Sequence, residues 1–153
     1  MVDFSASIAE FAVRQAERAA QADTEIQHLK GVIIPALQTT GITRVEIRFD
    51  GCGDSGAVEE CVCYNVAGAA VPCPEVTVEP FRGLDAEAHH EAEHPTLAGA
   101  LESLTYLALE RHYPGWEIND GAYGALMIEA AKANVILDCS LRFTATDDHS
   151  TEL

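Results

Sequence analysis

Residues 43 to 65 read TRVEIRFDGCGDSGAVEECVCYN, and the parsing of this stretch decides the fold. From Thr43 onward apolar and polar residues alternate, with Val45, Ile47 and Phe49 set between Arg44, Glu46 and Arg48. Successive side chains of an extended strand point to opposite faces, so this period of two predicts a strand with one buried face. The strand runs through Asp50 into GCGDSG, residues 51–56, read as a loop, and AVEECVCYN, residues 57–65, predicts a second strand. EVTVEP, residues 75–80, is a third and weaker strand pattern. AGAAVPCP, residues 67–74, is too rich in glycine and proline to extend either neighbour.

Outward from this core the period changes. Residues 5–30 place Ile8, Phe11 and Ala12 at i, i+3, i+4 and include the alanine-rich AERAAQA, which predicts a helix that Ser5 can cap. Gly31 and Pro35 interrupt it, so VIIPALQTT, residues 32–40, is expected as a separate short helix closed by Gly41 at the C′ position. Residues 84–94, LDAEAHHEAEH, form a polar acidic connection. A helix follows from about Pro95 to Tyr113, with Leu97, Leu101, Leu104 and Leu107 on its inner side, and YPGW ends it. ALMIEAA and VILDCSLRF flank KAN, residues 132–134, as a hairpin. TATDDHSTEL, residues 144–153, reads as a frayed acidic tail. The order of elements predicts an α+β fold: a mainly antiparallel sheet of about five strands packed with helices, preceded by an N-terminal helical segment. The whole chain, 1–153, is expected as one domain, with helices over 1–40, the α+β core over 41–143 and the tail over 144–153.

Composition narrows the partners. Lys and Arg total 9 against 25 Asp and Glu, a formal net charge of −16. That field opposes direct binding to nucleic acid phosphates or to an anionic membrane surface and attracts a basic protein surface. B-DNA carries one charge per about 1.7 Å, so this excess equals roughly eight base pairs and suits competition for a nucleic-acid-binding groove. No signal peptide or membrane-spanning run is visible, which points to a cytoplasmic protein. Cys52, Cys61, Cys63, Cys73 and Cys139 are odd in number and lack paired C-x-x-C spacing, as expected of reduced thiols. Cys61 and Cys63 share one strand face, where a soft metal is the functional alternative to buried thiols.

Three features carry possible chemistry. A second acidic glycine stretch, INDGAYG, residues 118–124, precedes the hairpin strand. If its strand is the antiparallel neighbour of the first, Asp50, Asp54 and Asp120 gather at one end of the sheet. Oxygens so placed suit Mg²⁺ or Ca²⁺, while Asp, Asn and Gly also build turns with no ligand at all. Trp116 and Tyr123 flank this stretch and could line a groove or pack in the core. HEAEH, residues 90–94, matches the H-E-x-x-H zinc pattern through His90 and His94. Pro95, however, belongs at a helix start and puts the histidines just before the helix, where their spacing loses meaning. A thiol nucleophile at Cys52 would need a histidine base that sequence cannot place beside it.

GCGDSG and WEINDGAYG, residues 116–124, in this order around a leucine-rich helix, resemble a family of phage and bacterial mobile-element proteins carrying G-S-G-D-S-G and W-x-x-N-D-G-x-x-G. The resemblance covers residues 41–143, with Cys52 standing where the family pattern has serine. It implies Asp50, Asp54, Ser55, Trp116, Asn119 and Asp120 as functional positions and brings no assigned activity.

Charge and motifs together favour a non-enzymatic interaction protein of a mobile element or phage. It would bind a basic host or defence protein, as a nucleic-acid mimic of the anti-restriction or anti-CRISPR type would. The alternative is a divalent-metal-dependent hydrolase built on the clustered aspartates. The first helix could dock on the domain or mediate association, and its alanine face does not decide between them; a homodimer is open on either reading.

Overall fold

The computed structural model describes residues 4–80 and 94–153. Its elements are α1 (Phe4–Thr39), β1 (Ile42–Asn65), β2 (Ala70–Val71), α2 (Leu97–His112), β3 (Ile118–Glu129) and β4 (Asn134–Leu141). The fold is α+β, with an antiparallel sheet in the order β2-β1-β3-β4. The sheet has four strands rather than about five.

The difference in count has a physical origin in β1. The two segments expected as separate strands form one continuous extended element of 24 residues. A straight strand of that length would span about 80 Å. Yet the Thr43 hydroxyl donates to the carbonyls of Tyr64 (3.2 Å) and Asn65 (3.0 Å), so the ends of β1 meet. Arg44 lies 4.2 Å from the Tyr64 ring centre and Arg48 reaches Glu60 at 3.8 Å. The ribbon therefore doubles back at GCGDSG, where Gly53 takes a left-handed φ of 69°. EVTVEP is no strand. It contributes one isolated bridge, Thr77 to Thr96, while the short β2 comes from the glycine- and proline-rich stretch before it.

The alternation at 45–49 holds. Val45, Ile47 and Phe49 are buried and pair with Ile128, Leu126 and Gly124 of β3. Against this inner face pack Leu29, Ile33 and Leu37 of α1 and Leu97, Leu101 and Leu104 of α2. The opposite face carries Arg48, Tyr123, Ile136 and Asp138 and is largely exposed.

The α1 helix runs without a break through Gly31 and Pro35, against the expectation of two helices. An interior proline costs about 3 kcal/mol through a lost hydrogen bond and a clash with the preceding turn. Ile33, Ile34 and Leu37 beside it are buried, and each contributes roughly 1.5–3 kcal/mol, which decides the balance. Gly41, at φ 78°, ends the helix as expected. The α2 helix begins two residues later than Pro95: the Thr96 hydroxyl caps it by accepting from the Gly99 N–H at 3.0 Å. Leu109 joins its buried face, whereas Leu107 is only half-buried.

Candidate functional site

The two glycine stretches meet. Gly53 and Asp54 at the turn of β1 are register partners of Asn119 and Ile118, and Asp50 is opposite Tyr123. INDGAYG is thus the first half of β3 rather than a loop before it. Between Gly51↔Ala122 and Gly53↔Asn119 the register shifts, so Asp120 and Gly121 together oppose Cys52 in a bulge. Asn119 (φ 60°), Gly121 (φ 74°) and Gly53 (φ 69°) supply the left-handed backbone this bulge requires. Asparagine is the side-chain-bearing residue that tolerates that region best.

Trp116 is the keystone beneath this junction. It is 4% exposed and packs edge-on against Phe49 (5.7 Å between ring centres) and tilted against Tyr106 (6.3 Å). A Cβ at Gly56 would lie 2.5 Å from the Trp116 ring, and one at Gly51 would lie 2.8 Å from it. A Cβ at Gly121 would overlap the carbonyl oxygen of Gly51, and one at Gly124 that of Asp138. These motif glycines are where they are because backbone and indole approach too closely for any side chain. The Tyr106 hydroxyl accepts from the Val58 N–H at 2.8 Å, tying α2 to the returning half of β1.

Two carboxylates at this end of the sheet, Asp50 and Asp120, already have partners of their own. Asp50 accepts from both terminal nitrogens of Arg142, at 3.0 and 2.9 Å, and Arg142 also donates to the Gly51 carbonyl at 3.1 Å. This fork holds the Arg142 guanidinium above its ordinary pKa, and the same group lies 4.7 Å from the Tyr123 ring centre. Asp120 accepts from the Thr144 hydroxyl at 2.8 Å. Asp54 and Ser55 are exposed at the turn. One Glu117 carboxylate oxygen is buried with no hydrogen-bond partner among the described residues. No group of three or more His, Cys, Asp or Glu among the described residues is placed to hold a metal ion.

A groove of about 490 Å³ opens at this end, lined by the His112–Trp116 turn, Ile118–Gly121 of β3 and Leu141–Phe143. Its surroundings are apolar and exposed: Ile118 (48%), Leu141 (61%) and Phe143 (84%), with Tyr123 (48%) nearby. Of the positions expected from sequence, Trp116, Asn119 and Asp120 line the groove, while Asp50 and Tyr123 stand beside it through Arg142. Arg142, Leu141 and Phe143 were not expected. They sit in what reads as the end of a hairpin, and the register of Leu141 with Ala122, followed by the pairing of the Arg142 N–H with the Gly121 carbonyl (2.9 Å), brings them here.

His90 lies outside the described residues. His94 is outside α2, and its Nδ1 is 3.4 Å from the Val78 carbonyl oxygen. Of the paired cysteines, Cys61 is exposed and Cys63 buried. A hydrogen bond from the Cys63 thiol holds Cys61 below the ordinary thiol pKa and raises that of Cys63, which burial raises further. Among the described residues no helix is long and apolar enough to cross a membrane.

A family model described as a family of unknown function (DUF6878) matches residues 26–153, which takes in both glycine stretches, the tail and the C-terminal part of α1. No curated protein and no solved structure matches the chain.

Proposed function

The chain belongs to this family of unknown function, DUF6878, and we propose that it is a non-enzymatic interaction protein that binds a basic partner through the grooved end of its sheet. The observation that carries the reading is the ring of exposed Ile118, Leu141 and Phe143 around an open groove. Large apolar side chains gathered at one place on a surface mark contact sites, and aromatic residues with arginine are the side chains enriched in them. Asp54 and Asp120 stand at the same end, and the net charge of −16 would speed encounter with a positive surface. The partner is a basic host or defence protein and the source a phage or mobile element. Support for these finer points comes from the charge and the motif resemblance. Imitation of nucleic acid is their natural extension.

The test is affinity capture on immobilised protein from a cell extract, at low and at high salt. A basic protein should be retained at low salt, released as salt rises, and displaced by the nucleic acid it normally binds. Retention should be lost with Leu141→Ala plus Phe143→Ala, and weakened by Asp54→Lys plus Asp120→Lys. Recovery of nothing at low salt, or equal recovery by these variants, sinks the reading.

A further inference from the structure

The first half of α1, which passes the grooved end of the molecule at Pro114, carries a different surface. The 36 residues of α1 make a helix about 54 Å long, but its buried positions begin only at Leu29. Every residue from 7 to 18 is exposed, including Ile8 (68%) and Phe11 (64%). Further along, Ala19 and Ala22 form the floor of a groove of about 390 Å³ between α1 and the end of α2, with Leu107 and Pro114 beside them and Gln15, Arg18, Glu110 and Arg111 as a polar rim. Ile8, Phe11, Gln15 and this alanine floor therefore lie on one face of α1, spaced by three, four and seven residues, while the exposed Val13 lies off it.

We propose that a second copy of this chain covers this surface, the two α1 arms packing antiparallel about a two-fold axis near Gln15. In that register Phe11 of each copy lies on Ala19 of the other and Ile8 on Ala22, so large residues meet small ones throughout. A two-fold interface requires this self-complementarity, and helices pack by setting ridges into grooves. A parallel pairing would instead oppose Phe11 to Phe11 and leave Ala19 facing Ala19 across a gap.

Charge favours the same occupant. The chain carries −16, yet residues 7–22 hold two acids, Glu10 and Glu17, and two bases, Arg14 and Arg18. The next acid, Asp23, is paired with Arg111 at 2.9 Å. The arm is thus a neutral, exposed part of an acidic molecule, where two copies approach without local repulsion. Antiparallel arms also carry the acidic bodies to opposite ends. An interface of standard size buries about 800 Å² per partner, more than a bare pair of short helices provides, so Leu107 and Pro114 at the groove must contribute.

Sedimentation equilibrium of the full chain decides the matter. At about 50 µM the protein is expected at twice its 16.4 kDa mass, with dissociation on dilution. Phe11→Lys and Ala19→Glu should each raise the dissociation constant by about 30-fold or more, as the loss of an interface anchor does. The double variant sets opposite charges across the antiparallel pairing and should recover most of the affinity. Circular dichroism should be unchanged in both single variants, since Phe11 is exposed and Ala19 lies half-buried beside an open groove. A 16.4 kDa species at the same concentration overturns the proposal, and so does a heavier species that contains a foreign protein instead of a second copy. Failure of the double variant to recover overturns the antiparallel register.

Discussion

At the glycine junction four glycines, Gly51, Gly56, Gly121 and Gly124, have no room for a Cβ; on the N-terminal arm a helix carries Ile8 and Phe11 into solvent. The contrast separates two kinds of signal that look alike in a sequence. The glycine motifs invite a reading as ligand loops, yet their glycines answer to backbone contact and to the Trp116 ring. The arm has no motif, and its large apolar side chains Ile8 and Phe11 stand mostly in solvent. What is densely packed explains itself, so the search for recognition belongs with side chains left exposed: Phe143 and Leu141 at the glycine end, Ile8 and Phe11 on the arm.

The sharpest way to break this contrast lies within the glycine end. Gly121→Ala forces a methyl group into the Gly51 carbonyl at a positive φ, and we expect it to lower unfolding free energy by more than about 4 kcal/mol. Gly53 has a similar φ of 69° but nothing within 4 Å of its absent Cβ, so Gly53→Ala should cost only about 1–2 kcal/mol. Urea denaturation of both variants reads the difference. Equal costs would mean that backbone angle, not close approach, governs these positions. Trp116→Ala comes next at about 3–4 kcal/mol, the usual range for emptying a buried aromatic site. A cost below about 1 kcal/mol would remove Trp116 from the junction and leave it a groove residue only.

How much of this was legible follows from the range of each interaction. The strand at 45–49 could be read because its burial repeats every two residues within the segment itself. The unbroken α1 could not: Gly31 and Pro35 are local breakers, and the burial of Ile33 and Leu37 that overrides them comes from α2 and the sheet. INDGAYG looks like a loop because Asn, Asp and Gly are turn formers, and only the opposing strand reveals a bulge within a ladder. Asp50, Asp54 and Asp120 were expected at one end of the sheet, and the pairing places them there. The partner of Asp50 was beyond reach, because Arg142 is 92 positions away and nothing in its neighbourhood announces the pairing.

The arm offers a gentler test of the same contrast. Phe11→Lys should leave the unfolding midpoint within about 0.5 kcal/mol of the parent when both are measured dilute. With rising protein concentration the midpoint should climb for the parent and stay fixed for the variant, because association stabilises only the folded dimer. A midpoint independent of concentration in both proteins would make the arm as self-sufficient as the glycine end.

The smallest effect on stability is expected at Phe143, and it sharpens the comparison most. This residue stands next to the glycine junction, since the neighbouring Arg142 N–H donates to the Gly121 carbonyl. If proximity to the junction governed, Phe143→Ala would cost as much as a core substitution. Its side chain is 84% exposed, so truncation leaves no cavity and should change unfolding free energy by less than about 0.5 kcal/mol. Binding of the captured basic partner should nevertheless fall by about 30-fold, because an exposed aromatic anchor does its work only in the complex. A variant that loses stability and keeps binding would reverse the assignment and make Phe143 part of the joint. One that keeps both would leave the groove without its anchor.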